Sequence, residues 1–508
     1  MNYGDIVRRN AKRFPNKPAV ITQDQSITWS QLNERVNRLS NGLMSRYEAG
    51  DRVAIIGPNC PQFLEWYFAT AKAGLISAPL SYRLLAKDIA GYLSHSDARL
   101  LAYHSEFSEL AEQVREIVSD DVDFLSIDRV TPSDIFYEEL IEDGSPDELP
   151  VKTGNTDPLA IFYTSGTTGL PKGAVVNHRN LIANGYNQMV ADQSRWSDIN
   201  LIATPLYHMG AVFMATTYMM LGCTQVILPH FQSKDVLESI QKYQVTVCLL
   251  VPTMLNMVLN EPEFGRFDLS SLRLVFYGGS SMPRELLVRV VKELGCKFTQ
   301  GYGLTETLEA TFLVAEDHVL DGSQWLEHRL ASAGREAVGA EVKIADDSGL
   351  ELPRGQVGEI LIKSESVIKE YWRNPELTAD TIKDGWFHTG DLGYVDDDGY
   401  LFVVDRKKDM IISGGTNIYP REIEEVLYAH PAVLEAAVIG VPDPLWGESV
   451  KAVVVPKSGC SVSEEEILEW CRQNLASYKK PRSVDLVEQL PKNPSGKIMK
   501  HVLREQYR

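Results

Sequence analysis

Hydroxyl side chains, glycines and one lysine crowd into a single stretch of this chain, Tyr163-Thr164-Ser165-Gly166-Thr167-Thr168-Gly169-Leu170-Pro171-Lys172-Gly173. Glycines let successive backbone N–H groups turn toward an anion, hydroxyls add donors or a metal ligand, and a lysine supplies a mobile point charge. The combination suits a loop that cradles the phosphates of ATP; an ordinary Gly/Thr surface turn is the alternative. The spacing is not that of a P-loop, which needs Gly-Lys followed by Ser or Thr, because Pro171 precedes Lys172 and Gly173 follows it. Leu159-Ala160-Ile161-Phe162-Tyr163 just upstream reads as a buried strand, so the loop is predicted at a strand end, where open α/β sheets place their ligands.

The elements that must position such a loop follow from the pattern upstream of about residue 400. Apolar runs at 53–57, 245–251 and 274–277 read as buried strands with amphipathic stretches between them, which predicts an α/β fold. Its large N-terminal domain, 1–404, holds parallel or mixed sheets with crossover helices. The charged run Asp405-Arg406-Lys407-Lys408-Asp409 between two apolar strands reads as a hinge, and 410–508 as a small mobile α+β domain. There, Pro420 sits in the first turn of a helix, and Ser463 with Glu466 makes a capping box for the next one. The acidic, proline-containing stretch 120–150 is predicted to be a loop-rich surface connection.

Composition narrows the partners. With 508 residues, 44% of them hydrophobic, the chain has enough apolar material for several cores. A net charge of -19 disfavours nucleic acid and acidic membranes as partners. The acidic excess lies upstream of Asp405, and the last thirty or so residues are locally basic. Cys60, Cys223, Cys248, Cys296, Cys460 and Cys471 have neither CxxC nor zinc-ligand spacing, so they read as reduced core thiols rather than a disulfide frame or metal site. The apolar stretch 209–223 is too short and too rich in threonine and glycine to span a bilayer and reads as interior packing, so no integral membrane association is expected. The N-terminus lacks a secretory pattern, which makes the cytoplasm the expected location.

Several separated segments agree on a chemistry. The loop 163–173, Gln300-Gly301-Tyr302-Gly303-Leu304-Thr305-Glu306-Thr307, Trp386-Phe387-His388-Thr389-Gly390-Asp391, the 405–409 run with Ser413-Gly414-Gly415, and Pro491-Lys492-Asn493-Pro494-Ser495-Gly496-Lys497 occur in that order. Together they closely resemble the adenylate-forming superfamily of acyl-CoA synthetases, peptide-synthetase adenylation domains and luciferases, over nearly the whole chain. The resemblance implies an ATP- and magnesium-dependent acid ligase that forms an acyl adenylate and then a thioester with coenzyme A, releasing AMP and pyrophosphate.

Carried over by position, the resemblance assigns the β- and γ-phosphates to Thr164, Ser165, Gly166, Thr167, Thr168, Gly169 and Lys172, with magnesium held by Thr164 and Glu306. Gly278, Gly279 and Ser280 would border the adenine and Tyr302 would stack on it, with Gly303 and Thr305 nearby. Asp391, reinforced by Arg406, would take the ribose hydroxyls. Lys497 would stabilise charge on the phosphoryl oxygens as the carboxylate attacks. His208, Gly210, Ala211, Tyr277 and Gly303 would surround the acyl group, Gly414 and Gly415 would line the path of coenzyme A, and Lys408 would be the hinge.

Amino-acid-activating relatives carry an aspartate just after the aromatic pair that here is Tyr207-His208; Met209-Gly210-Ala211-Val212-Phe213 has none. A hydrophobic acid is therefore expected, a fatty acid first and an aryl acid of the cinnamate or benzoate type second. Free coenzyme A is expected as acceptor, with a separate carrier protein as the alternative, and whether the chain pairs into a homodimer stays open. Glu370, where relatives usually carry glycine before a tyrosine, reads as a surface variation outside the site.

Overall fold

The computed structural model describes residues 2–129, 134–150, 153–164, 172–280, 282–318, 320, 328–457, 459–492 and 498–507. Short apolar runs satisfy their backbone groups by pairing with one another, and among the described residues they form sheets of nine, seven, five and five strands. In the seven-stranded sheet Arg52–Ile56 lies parallel between Ile76–Pro79 and Ala98–Tyr103, and Pro158–Thr164 joins beyond Ile76–Pro79. The chain then returns antiparallel as Lys172–Asn177. In the nine-stranded sheet Val247–Leu249, Leu274–Gly278 and Lys297–Leu304 run parallel, and Leu308–Leu313 folds back antiparallel. Leu274–Gly278 is buried at every position, as expected of a parallel strand covered on both faces.

The helix Met209–Leu221 is buried around almost its whole circumference, the condition that lets an all-apolar helix persist in an aqueous protein. Among the described residues no helix is long and apolar enough to cross a membrane. Two expectations need correcting. The stretch 120–150 contains Asp123–Ser126 and Ile135–Phe136, which extend the seven-stranded sheet at its edge, and the helix Tyr137–Asp143. Phe124, Leu125 and Tyr137 are buried there, so its few apolar residues outweighed its acidic composition. Cys460 is exposed rather than in a core, whereas Cys223, Cys248 and Cys471 are buried.

The third sheet is antiparallel and ends with Trp386–Val395 paired to Leu401–Arg406. The fourth begins at Ile411–Ser413 and carries Val433–Asp443, Gly447–Pro456 and Ser483–Leu486. Its helices are Pro420–Tyr428, with proline in the first turn, and Glu464–Asn474, where Ser463 and Glu466 form the capping box. The join between the sheets is tied: Asp405 accepts the Arg421 backbone N–H at 2.8 Å, and the Arg421 guanidinium donates to the Val403 carbonyl at 2.9 Å.

Candidate active site

The residues expected to hold phosphate lie where two sheets meet. Pro158–Thr164 ends at Thr164, directly across from Lys172 at the start of its antiparallel mate. Ser165, Gly166, Thr167, Thr168 and Gly169 lie outside the described residues. Glu306 comes from the other sheet, in the 305–307 turn that joins Lys297–Leu304 to Leu308–Leu313, and its Oε1 accepts from the Thr164 hydroxyl at 3.5 Å. The turn is strapped from the third segment of the chain: the Ile368 N–H donates to the Glu306 carbonyl at 2.8 Å, and the Tyr371 hydroxyl donates to Glu306 Oε1 at 3.0 Å. Burial, then the adjacent Glu306 charge, push the Tyr371 phenol upward, so it stays a donor. The segment around Glu370 thus borders the Thr164–Glu306 pair through Ile368 and Tyr371, while Glu370 itself is exposed, as a surface variation would be.

Two oxygens of this kind suit a hard cation that takes most of its remaining ligands from substrate phosphates and water. Among the described residues no group of three or more His, Cys, Asp or Glu forms a protein cage for a metal. Gly303 is required by the hairpin itself: a Cβ there would come within 1.6 Å of the Leu308 carbonyl oxygen. Leu308 takes φ +52°, a strained value for a residue with a side chain. Thr305 lies in the same turn.

Beside this end, one carboxylate gathers two partners. Asp391 is buried and stands across from Arg406 in the third sheet. Arg406 Nε reaches its Oδ1 at 2.9 Å, and the Tyr302 hydroxyl donates to its Oδ2 at 2.8 Å. Burial, then Asp391, hold the Tyr302 phenol far above its ordinary value. The fold thus brings together Tyr302, Asp391 and Arg406, three residues that the sequence places far apart. Gly278 pairs with Gly301, and Gly279 and Ser280 follow at the end of the same strand.

The residues expected to surround the acyl group include the start of Met209–Leu221. His208 precedes it with Nε2 buried and unpartnered among the described residues, and burial pushes the imidazole down to about 4, so it is neutral. Gly210 leaves ordinary contact distance to Leu249, and Ala211 is buried. Tyr277 does not join this wall with its ring: strand alternation points it to the opposite face, where its hydroxyl bonds His318 at 2.9 Å. Phe276 faces the helix instead, edge-on to Phe213 at 5.6 Å. Neighbouring residues in a strand differ in face, and choosing between Phe276 and Tyr277 required knowing on which side the helix lies.

In the small unit, Gly414 and Gly415 make the turn between Ile411–Ser413 and Thr416–Ile418. Gly415 has φ +79° and open space where a side chain would be, whereas a Cβ on Gly414 would strike Trp446 at 2.5 Å. Burial lowers the Lys408 ammonium against the opposing charge of Asp409, and Arg406, Arg504 and Lys172 press it further down, so Lys408 lies within electrostatic reach of the strand that starts at Lys172. Lys497 lies outside the described residues. The segment after it is anchored, with Lys500 paired to Glu424 at 2.7 Å and Arg504 to Asp409 at 2.9 Å.

Two parallel-rich sheets meeting at the Thr164–Glu306 pair, followed by a smaller C-terminal sheet with its own helices, are the layout of an adenylate-forming enzyme. Comparison with known proteins agrees. The AMP-binding enzyme family model matches residues 7–372, and that of the AMP-binding enzyme C-terminal domain matches residues 422–497. The chain belongs to the AMP-binding enzyme family, among its AMP-forming acid–thiol ligases, the acyl-CoA synthetases. It is 40% identical to a feruloyl-CoA synthase of an Amycolatopsis species, over 98% of both chains. It is 36% identical to the long-chain-fatty-acid–CoA ligase FadD13 of Mycobacterium tuberculosis, over 100% of this chain and 98% of that one. The ATP-bound structure of MatB from Rhodopseudomonas palustris superposes with a TM-score of 0.88 at 31% identity, over 100% of this chain and 99% of that one.

Proposed function

We propose that this ligase activates a hydrophobic carboxylic acid, a fatty acid or an aryl acid, with ATP and magnesium, and passes the acyl group to coenzyme A. The observation that carries the proposal is the apolar start of Met209–Leu221, where Met209, Val212, Phe213 and Met214 are all buried and the segment itself carries no carboxylate to hold a substrate ammonium. Each buried methylene contributes about 0.8 kcal/mol, so an alkyl chain is stabilised in such surroundings. The edge-on pair Phe213 and Phe276 favours the aryl reading, since aromatic rings pack well against edges and faces of other rings. Relatives named for each class, feruloyl-CoA synthase and the long-chain-fatty-acid ligase, support both.

In the first half-reaction the acid carboxylate attacks the α-phosphorus and pyrophosphate leaves. Thr164 and Glu306 would hold magnesium, which supplies charge neutralisation at the phosphates. Tyr371 keeps the Glu306 carboxylate turned toward Thr164. Asp391 accepts the ribose hydroxyls while Arg406 fixes its orientation, and Lys497 supplies a positive charge where two anions are brought together. In the second half-reaction the 410–508 unit rotates about Lys408, and Gly415 leaves room for the thiol arm. The test is pyrophosphate exchange with a panel of acids, followed by addition of coenzyme A. Acid-dependent exchange with thioester formation is expected; exchange without thioester points to a carrier protein as the acceptor, and no exchange with any acid defeats the proposal.

A further inference from the structure

The helix Ala86–Ser96 ends beside the strand that finishes at Thr164, and its end is fixed. The Arg52 guanidinium donates to the Ser96 carbonyl at 2.8 Å and to the Asp97 carbonyl at 2.9 Å, and Asp97 closes the helix with φ +49°. From the last turn of this helix, His95 reaches both sides of the Thr164–Glu306 pair through different groups. Its Nδ1 shares a hydrogen bond of 3.1 Å with the hydroxyl of Tyr163, the residue before Thr164. Its backbone carbonyl accepts the Trp372 indole N–H at 3.2 Å, one residue beyond the Tyr371 that bonds Glu306.

The two arms are also joined to each other. The Trp372 N–H donates to the Gly173 carbonyl at 2.7 Å, and Gly173 stands across from Tyr163 in the hairpin. A Cβ on Gly173 would lie 3.2 Å from Trp372 and 3.3 Å from the Tyr163 ring, so the glycine admits both side chains at close range. Tyr92 stacks on the Tyr163 ring with centroids 4.4 Å apart. Stacking holds the ring's plane, whereas a hydrogen bond to the hydroxyl adds direction and sets where the strand end stands.

We propose that His95 is a positioning residue for adenylation, which holds Tyr163 and Trp372 so that Thr164 and Glu306 are presented to magnesium at a fixed separation. This rests on the reading of Thr164 and Glu306 as the magnesium pair. Magnesium demands near-ideal geometry of its ligands, so a shift passed along either arm weakens metal binding before it weakens binding of the nucleotide itself. Groups one step removed from the direct ligands govern metal affinity in this way.

The test measures, by calorimetry, the affinity for a non-hydrolysable ATP analogue with magnesium and with the metal chelated. His95→Ala is expected to lower the affinity with magnesium roughly 3- to 10-fold, the worth of one hydrogen bond, and to leave the metal-free affinity unchanged. Tyr163→Phe should do the same, and the double variant should lose no more than either alone, because the two groups act as one unit. His95→Asn, which keeps a polar atom near the place of Nδ1, should recover most of the loss. If His95→Ala does not fold, His95→Leu takes its place. Equal weakening with and without magnesium marks a merely structural role and overturns the proposal, as do unchanged binding in both conditions and additive effects of the two substitutions. Glu306→Gln, measured alongside, separates the two readings. If it leaves the magnesium-dependent affinity unchanged, the magnesium pair falls and this proposal with it; if it weakens that affinity while the His95 variants do not, this proposal alone falls.

Discussion

Thr164 and Glu306 are 142 positions apart in the chain, yet their side-chain oxygens stand 3.5 Å from each other. Neither residue alone is more than a strand-end hydroxyl or a turn glutamate. Their meeting offers two oxygens to the proposed magnesium, and Tyr371 holds the Glu306 side of the pair from a third part of the chain.

Glu306→Gln retains the shape of that side chain and removes its charge. Pyrophosphate exchange is expected to fall on the order of 10² to 10³-fold. Tyr371→Phe acts more gently, since it only frees the carboxylate to turn; the magnesium concentration needed for half-maximal exchange should rise about 10-fold. A magnesium titration of both variants checks this, and an unchanged midpoint for Tyr371→Phe would argue against an orienting role.

Asp391 is the centre of the proposed ribose contact. A hydrogen bond to a charged group is worth about 1.5 to 3 kcal/mol, so Asp391→Asn should raise the KM for ATP roughly 10- to 100-fold with a smaller change in kcat. The sharper readout is the ratio between ATP and its deoxyribose analogues. Wild type should favour ATP, and the variant should treat them nearly alike.

Lys497→Ala is expected to abolish adenylation largely, on the order of 10² to 10³-fold, while sparing thioester formation from supplied acyl adenylate and coenzyme A. Assaying the half-reactions separately checks this. Equal loss of both steps contradicts the assigned role.

Burial of Glu309 makes stability depend on pH. In the unfolded chain a glutamate titrates near 4.5, and in the folded chain burial raises this one to about 8. Between those values the folded state holds a proton that the unfolded state has lost, so this group lowers stability progressively as pH rises through the window, and its effect levels off above it. Asp192, raised to about 6 mainly by burial, adds in the same direction over a lower range. Glu309→Gln is neutral in both states and should flatten the decline. Thermal unfolding of both proteins across that window checks this; parallel curves would contradict it.

Residue type and spacing along the chain were enough to read the strand before the phosphate loop, the strand at Leu274–Gly278 and the Ser463 capping box, because each depends on neighbours within a few positions. The order of short motifs also singled out Thr164, Glu306, Asp391 and Arg406, and the fold brings Thr164 to Glu306 and Arg406 to Asp391; the roles given to them are the proposal above. Other features had no local signal. That Tyr371 bonds Glu306, that Phe276 rather than Tyr277 faces the helix Met209–Leu221, and that Glu309 is buried beside Gly301 depend on which strand faces and loops the fold stacks together. Sequence periodicity states which residues share a face, but only packing decides what that face meets, and the raised pKa of Glu309 comes from that enclosure.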